Sequence, residues 1–393
     1  MGQIVSVVGS QMQLAAVNWH VWLLTKSAFA LGMVGLFRGG PIILCSLLGG
    51  VFADAVDRKR MMIVTQSVML LSAVCLTILT VAGLNRVWPI YLLTAVASSA
   101  TAFDTPARQS LMPTLVPIRD FPNAVSLGVI VFYFGMICGP SVAGFLLGSH
   151  GPAMIYGINA ASFLAVIAAL IAMRATGRAV VDAGAAASRV SFAALKEGLR
   201  FVWQTPIIVQ TMTLDFAATF FASATALLPI FADNILHVGA RGFGFLAAAP
   251  AFGAVITGLV MARMGTFRAQ GKLVIGSVAA FGLATLGFGL SRVFWLSLLM
   301  LALSGAADTI STVLRQTIRQ ISTPDYLRGR MTSINMVFFM GGPQLGEVEA
   351  GSLAALMGPQ ISVVVGGVGS ILAAVVALAK AKSLRRYDGD SQR

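Results

Sequence analysis

Twelve long apolar runs, separated by short polar links, divide the chain at about 4 to 25, 29 to 53, 61 to 83, 88 to 107, 121 to 148, 152 to 174, 206 to 234, 242 to 264, 272 to 291, 293 to 314, 330 to 356 and 360 to 380. Each is close to the roughly 20 residues that a helix needs to cross the hydrocarbon core. Lipid admits only segments that satisfy their own backbone, so the runs read as helices and not as strands. The pattern predicts an all-α membrane protein with twelve transmembrane helices. The first run begins almost at Met1, without a cationic flank, and its Gln3, Gln11, Gln13, Asn18 and His20 make it too polar for a signal peptide. That leaves room for a short cytoplasmic leader ahead of it.

One link interrupts this rhythm. Residues 176–189 are rich in Ala and Gly, after which Phe192, Leu195, Leu199 and Val202 recur at helical spacing with Arg189, Lys196 and Arg200 nearby. This predicts a cytoplasmic linker followed by an interfacial amphipathic helix. The expected organisation is an N-terminal six-helix bundle over 1–175, the linker and its helix over 176–205, a C-terminal six-helix bundle over 206–382, and a cytoplasmic tail over 383–393. An internal repeat supports the division. Laying 108–152 over 315–359 without a gap gives twelve identities in 45 positions, among them Arg108/Arg315, Gln109/Gln316, Pro117/Pro324, Gly135/Gly342, Gly139/Gly346, Gly144/Gly351 and Gly151-Pro152/Gly358-Pro359. Chance would give about three at a residue frequency near 7%. Two parallel six-helix pseudo-repeats are an architecture of transporters, whose site lies near the midplane between rocking halves.

Composition agrees with a lipid environment: 57% of the 393 residues are hydrophobic and 10% charged, against about a quarter charged in soluble domains. The formal net charge of +13 could suggest nucleic acid, but the placement of the cations excludes that reading. With the N-terminus given to the cytoplasm, 22 of the 27 Lys and Arg fall in the even-numbered links and the tail. The opposite links hold four (Lys26, Arg86, Arg241, Arg292), and Arg38 alone lies deep inside a run rather than at its edge. This is the positive-inside pattern, and it predicts cytoplasmic termini. Cys45, Cys75 and Cys138 sit in spans without metal-ligand spacing and read as small apolar packing residues. No nucleotide loop, metal cluster or nucleophile motif appears, so the sequence points away from an enzyme and implies no cofactor.

The link between spans two and three reads Gly50-x-x-x-Asp54-x-x-Asp57-Arg58-Lys59-Arg60, and it resembles the cytoplasmic signature of the major facilitator superfamily. Family signatures usually carry Gly where this chain has Asp57. In the second half Gly258-x-x-x-Ala262-Arg263-x-Gly265 keeps the frame without the acid. Gly135-x-x-x-Gly139-Pro140-x-x-Ala143-Gly144 gives span five a small-residue face broken by a proline, and it resembles the antiporter motif of that superfamily. The run from Ala102 to Leu127, with Pro324 to Ser333 and Gly341 to Gly351, resembles the enterobactin-exporter and macrolide-efflux branch. The resemblance covers nearly the whole chain. It implies a multi-pass protein of the bacterial inner membrane, a monomer without nucleic-acid partners, that exports a small amphipathic or anionic molecule (a siderophore or a drug) as protons enter. An importer of the same fold and a transport-inactive receptor or assembly protein are the alternatives.

Charges within spans are expensive and become site candidates. Asp104 and Arg108, one helical turn apart near the cytoplasmic end of span four, are expected to join Gly50, Asp54 and Arg58 in an inner gate. Asp215 and Asp308, with His20, are candidates for proton coupling. Counting about 1.5 Å per residue, Arg38 lies roughly 24 Å from Asp54, His20 about 25 Å from the start of its span and Glu347 about 25 Å from Arg330. That puts all three in the outer half of the membrane. By the superfamily resemblance, Arg38 with Glu347 or Glu349 forms an outer gate, or Arg38 receives an anionic substrate; a static pair offsetting burial is the plain alternative. Glu347 and Glu349, two residues apart, point to different faces.

Overall fold

Several helix boundaries fall at a glycine, a proline or a capping charge, as at Gly151-Pro152, Gly358-Pro359 and Asp57. The computed structural model describes residues 2–55, 57–83, 86–173, 192–265 and 267–389, and every regular element among them is helical. Six helices precede the linker: α1 (Gly2–Thr25), α2 (Ala28–Ala55), α3 (Arg58–Val81), α4 (Val87–Leu115), α5 (Phe121–His150) and α6 (Pro152–Ala172). After it come α7 (Phe192–Gln204), α8 (Pro206–Phe221), α9 (Gly239–Met264), α10 (Gln270–Leu290), α11 (Phe294–Ile321), α12 (Arg328–Met357) and α13 (Pro359–Lys380). Short helical turns fill Ala224–Ile235, and one more closes the chain at Lys382–Arg385. Most of the linker expected over 176–205, including Arg189, lies outside the described residues, as do the last four of the tail.

Nine stretches among the described residues are long and apolar enough to cross a membrane: Ala28–Cys45, Arg58–Val81, Phe121–His150, Pro152–Ala172, Pro206–Ile235, Gly239–Met264, Gln270–Leu290, Phe294–Ile321 and Pro359–Lys380. The chain is a multi-pass membrane protein. Helices α1, α4 and α12, of 24, 29 and 30 residues, are long enough but carry more polar residues. Their membrane crossing rests on the sequence pattern.

Two helices overrun their apolar runs. α4 continues to Leu115, past the expected end at 107, and α11 to Ile321, past 314. Arg108, Arg315 and Arg319 are therefore helical residues and not link cations. Buried carboxylates pair with Arg108 and Arg315, which lets the helix continue through a charged stretch. Removing the three from the links leaves nineteen cations against four, so the asymmetry survives.

The chain divides into two units, Met1–Ala187 with His237–Ala248, and Ser188–Leu236 with Ala249–Arg393. The first turns of α9 thus cluster with the first unit, although the sequence assigns them to the second half. In the first unit α1 packs on α5 and α6, α2 on α4, and α3 on α4 and α6. In the second, α8 packs on α12 and α13, and α10 on α11 and α13. There the α9 backbone also meets α11 closely, Gly253 against the Ala302 carbonyl and Gly305 against that of Pro250.

The aligned segments adopt the same local turns. Gly151 and Gly358 take φ of +74° and +90°, in the left-handed range that favours glycine. Pro152 and Pro359 then open the next helix, where the missing N–H costs nothing. At the other end, the amide of Asp120 donates to the Pro117 carbonyl and that of Leu327 to the Pro324 carbonyl, each at 2.9 Å.

Candidate functional site

The first charged cluster gathers around Asp104 on α4, which is buried. Its Oδ1 accepts from Thr65 Oγ1 at 2.9 Å and Gln66 Nε2 at 3.0 Å, both on α3, while Oδ2 accepts from Arg108 Nη2 at 2.5 Å and Nε at 3.2 Å. One carboxylate thus takes four donors from two helices. Such a load holds the anion in place and locks α3 to α4. The charges that open α3 are placed separately. Asp57 caps the helix by accepting from the Arg60 amide at 3.1 Å. Arg58 Nη1 donates to the Ser110 carbonyl at 2.9 Å, and Lys59 Nζ to the Met173 carbonyl at 2.5 Å, just past α6, whose last carbonyls lack helical partners. The backbone at Gly50 and Asp54 is helical, but the Asp54 side chain lies outside the described residues. The structure therefore joins Asp104 to Arg108 and leaves Asp54 as a sequence expectation.

The glycines of α5 are a packing surface. A Cβ at Gly135 would stand 2.5 Å from Val7 Cγ1, and one at Gly139 2.5 Å from Gln11 Cβ, so α5 lies directly on α1. Gly144 meets α9 in the same way, 2.9 Å from the Gly244 Cα, and the Pro140 carbonyl faces Gly244. Their aligned counterparts behave alike: Gly342 sits over Thr219 and Gly346 over the Phe220 carbonyl, which seats α12 on α8. Close backbone approach at small residues is how membrane helices gain contact without a hydrophobic driving force.

A second charged cluster was not anticipated as a unit. Arg315 Nη2 lies 2.8 Å from Asp215 Oδ1 and 3.9 Å from Asp308 Oδ1, and Arg319 Nη1 lies 3.7 Å from Asp215 Oδ2. Arg319 also donates to Asn335 Oδ1 of α12 at 2.5 Å. Asp215, Arg315 and Arg319 are buried, whereas Asp308 is half-buried. Neither Asp215 oxygen accepts a hydrogen bond among the described residues, so the contact is an ion pair without a well-formed hydrogen bond, and Arg315 Nε is likewise buried without a partner among them. The cluster has two cations and two anions, so it is neutral as a whole. It ties α8, α11 and α12 together. Arg315 stands about two turns after Asp308 on α11, but nothing local marks Asp215 as its nearer partner.

His20 lies in a polar seam between α1 and α6. Its Nδ1 is 3.1 Å from the Tyr156 hydroxyl, and both side chains are buried. About two turns earlier on α1, Gln13 Oε1 accepts from Asn159 Nδ2 at 2.7 Å. Arg38 is half-buried on α2 of the first unit; Glu347 is buried and Glu349 half-buried on α12 of the second.

The amphipathic helix α7 keeps part of its apolar face on protein. Val202 joins Ile208, Met212, Met331 and Ile334 in a buried cluster, and Glu197 pairs with Arg330. Leu199 and Trp203 remain exposed.

Among solved structures the fold is that of transporters of the major facilitator type. The nucleoside transporter NupG superposes with a TM-score of 0.72 at 15% identity over 98% of both chains. A bacterial homologue of the iron transporter ferroportin, in an inward-facing state, superposes with a TM-score of 0.73 at 15% identity, over 98% of this chain and 97% of the other. The chain belongs to the transmembrane secretion effector family of the major facilitator superfamily, which matches residues 1–392. It is a transporter-type protein and not an enzyme. Curated relatives in the enterobactin-exporter branch include the enterobactin exporter EntS of Shigella boydii serotype 18, 26% identical over 391 residues, covering 98% of this chain and 92% of the relative. EntS of Escherichia coli O81 is 25% identical with the same coverage.

Proposed function

We propose that this chain is a proton-driven exporter of small amphipathic or anionic molecules, of siderophore or drug class, working by alternating access. The observation that carries the reading is the glycine face of α5, seated on α1 and on the start of α9, in a chain of the secretion effector family. The names of the relatives, enterobactin exporters, support an outward direction.

The architecture proposed is twelve spans in two six-helix repeats, with α1, α4 and α12 completing the nine apolar ones. The matched turns at Gly151 and Gly358, and the matched seats of α5 on α1 and α12 on α8, support it. The protein acts as a monomer in the bacterial inner membrane with both termini cytoplasmic, as the cation asymmetry supports.

In the proposed cycle Gly50, Asp54 and Arg58, with Asp104 and Arg108, close the inner side in the outward-facing state. Asp104 is the fixed point, since it holds Arg108 while bonded to α3. Proton coupling falls to Asp308, half-exposed and at 3.9 Å from Arg315, whereas Asp215 lies between two guanidiniums. His20, 3.1 Å from the Tyr156 hydroxyl, is a second candidate for the coupling route. Arg38 receives the anionic group of the substrate, and Glu347 and Glu349 act on the outer side.

Inverted membrane vesicles acidified inside test the whole reading. They are expected to accumulate a catecholate siderophore or an amphipathic drug, and a protonophore to abolish the uptake. ATP-dependent uptake that survives the protonophore would reject proton coupling.

A further inference from the structure

Helices α3 and α4 pack against each other yet leave a groove of about 530 Å³ between them, within the ~300–1,000 Å³ of sites that hold small ligands. Its walls are apolar, with Val64 and Val68 on α3 facing Val96 and Phe103 on α4. Val64 and Val96 are exposed at its rim, so it opens to the outside of the helix pair. Both α3 residues lie on an apolar span, so the groove faces hydrocarbon. Thr65 and Ser99 also line it, but their hydroxyls donate to Asp104 and to the Ala95 carbonyl, so the space suits an acyl chain better than water.

Arg60 stands at the end of the groove where α3 begins, the boundary between the span and water. Its two neighbours are committed, Arg58 to the Ser110 carbonyl and Lys59 to the Met173 carbonyl. The Arg60 backbone amide caps the helix onto Asp57, but its guanidinium is exposed and makes no hydrogen bond or ion pair among the described residues. An uncommitted cation at headgroup depth, above a chain-wide apolar slot, matches a phosphodiester with its acyl tail.

We propose that the α3–α4 groove is a binding site for one anionic phospholipid, with an acyl chain between Val64, Val68, Val96 and Phe103 and its phosphate on Arg60. The floor of the groove is Thr65, which also donates to Asp104, so the lipid lies against the Asp104–Arg108 cluster.

The test is native mass spectrometry of the full-length protein in detergent, offered equal amounts of phosphatidylglycerol and phosphatidylcholine. The wild type is expected to retain one phosphatidylglycerol with about fivefold preference, the effect of a single cation near an anionic headgroup. Arg60→Gln is expected to keep one lipid adduct and lose the preference. Val64→Trp, at an exposed rim position that folding tolerates, is expected to lose the adduct, whereas Leu164→Trp on the exposed face of α6 keeps it. Equal retention of the two lipids by the wild type would overturn the proposal, as would unchanged preference in Arg60→Gln or an unchanged adduct in Val64→Trp. The readout needs no transport, so it stands apart from the proposed function.

Discussion

Arg315 of α11 and Asp215 of α8 form an ion pair at 2.8 Å with almost no exposure on either side, although a hundred residues separate them in the chain. Arg108, which aligns with Arg315 in the repeat, takes its carboxylate from Asp104 on its own helix. The residue that aligns with Asp104 is Ser311, whose buried hydroxyl has no hydrogen-bond partner among the described residues. Asp215→Asn strands a buried cation and is expected to destabilise the protein by about 3–5 kcal/mol. The double variant Asp215→Leu with Arg315→Leu removes both charges and is expected to cost much less. Thermal unfolding followed by size-exclusion fluorescence in detergent compares the two; equal losses would show that the pair is not the source.

Asp54→Asn is expected to abolish export while membrane expression stays normal, because the gate needs the charge and the fold does not. Efflux at the wild-type rate in vesicles would remove Asp54 from the gate and leave Asp104 holding Arg108 as a static tie.

Gly139→Leu places a branched side chain where a single Cβ already stands 2.5 Å from Gln11. Overpacking of this kind costs about 1–3 kcal/mol, and transport is expected to stop or to become a proton leak in pH-gradient vesicles. Gly346→Leu wedges α12 from α8 at the aligned position and is expected to lower stability by a similar amount. A neutral Gly139→Leu would deny that α5 must lie directly on α1.

Tyr156→Phe leaves the His20 ring without its buried partner, at an expected cost of about 1–3 kcal/mol. If His20 only packs, transport per folded molecule and its pH profile stay unchanged. A shifted pH profile would make His20 part of the coupling route.

Arg38→Gln is expected to raise the KM for a catecholate substrate about tenfold, with little change for a neutral amphipathic drug, since one charge-assisted contact is lost. Equal effects on both substrates would return Arg38 to a structural role.

Much of this was legible in the residues because the signals are local. The helices, the turn prolines and the glycine spacing of α5 depend on neighbours within a few positions. So does the Asp104–Arg108 pair, one turn apart. The Asp215–Arg315–Arg319 cluster was not legible, since its members come from helices far apart in sequence and each charge looked like an isolated candidate or a link cation. Arg315 and Arg319 were hidden for a second reason: an apolar run ends at the first cation, whereas a helix ends where its backbone loses partners, and a paired arginine does not break it. The partner of His20 was equally hidden, because Tyr156 lies 136 residues on. The polar helices α1, α4 and α12 show the limit of hydropathy itself, which averages a helix and cannot distinguish a face turned to protein from one turned to lipid.

The different sources of the two carboxylates bear on how the chain is made. In the proposed twelve-span arrangement α4 enters the bilayer with Asp104 and Arg108 one turn apart on the same segment, so its charges can neutralise each other before any neighbour arrives. α8 enters with Asp215 alone, a residue that costs about 2.5–3.5 kcal/mol at the centre of an isolated helix, and α11, bringing the cations Arg315 and Arg319, is synthesised about a hundred residues later. At a typical pace of about 5–20 residues per second, Asp215 waits several seconds for its counter-ions. On that arrangement the Asp104–Arg108 pair forms within one inserting segment, whereas the Asp215 pairs form only once α11 has joined α8.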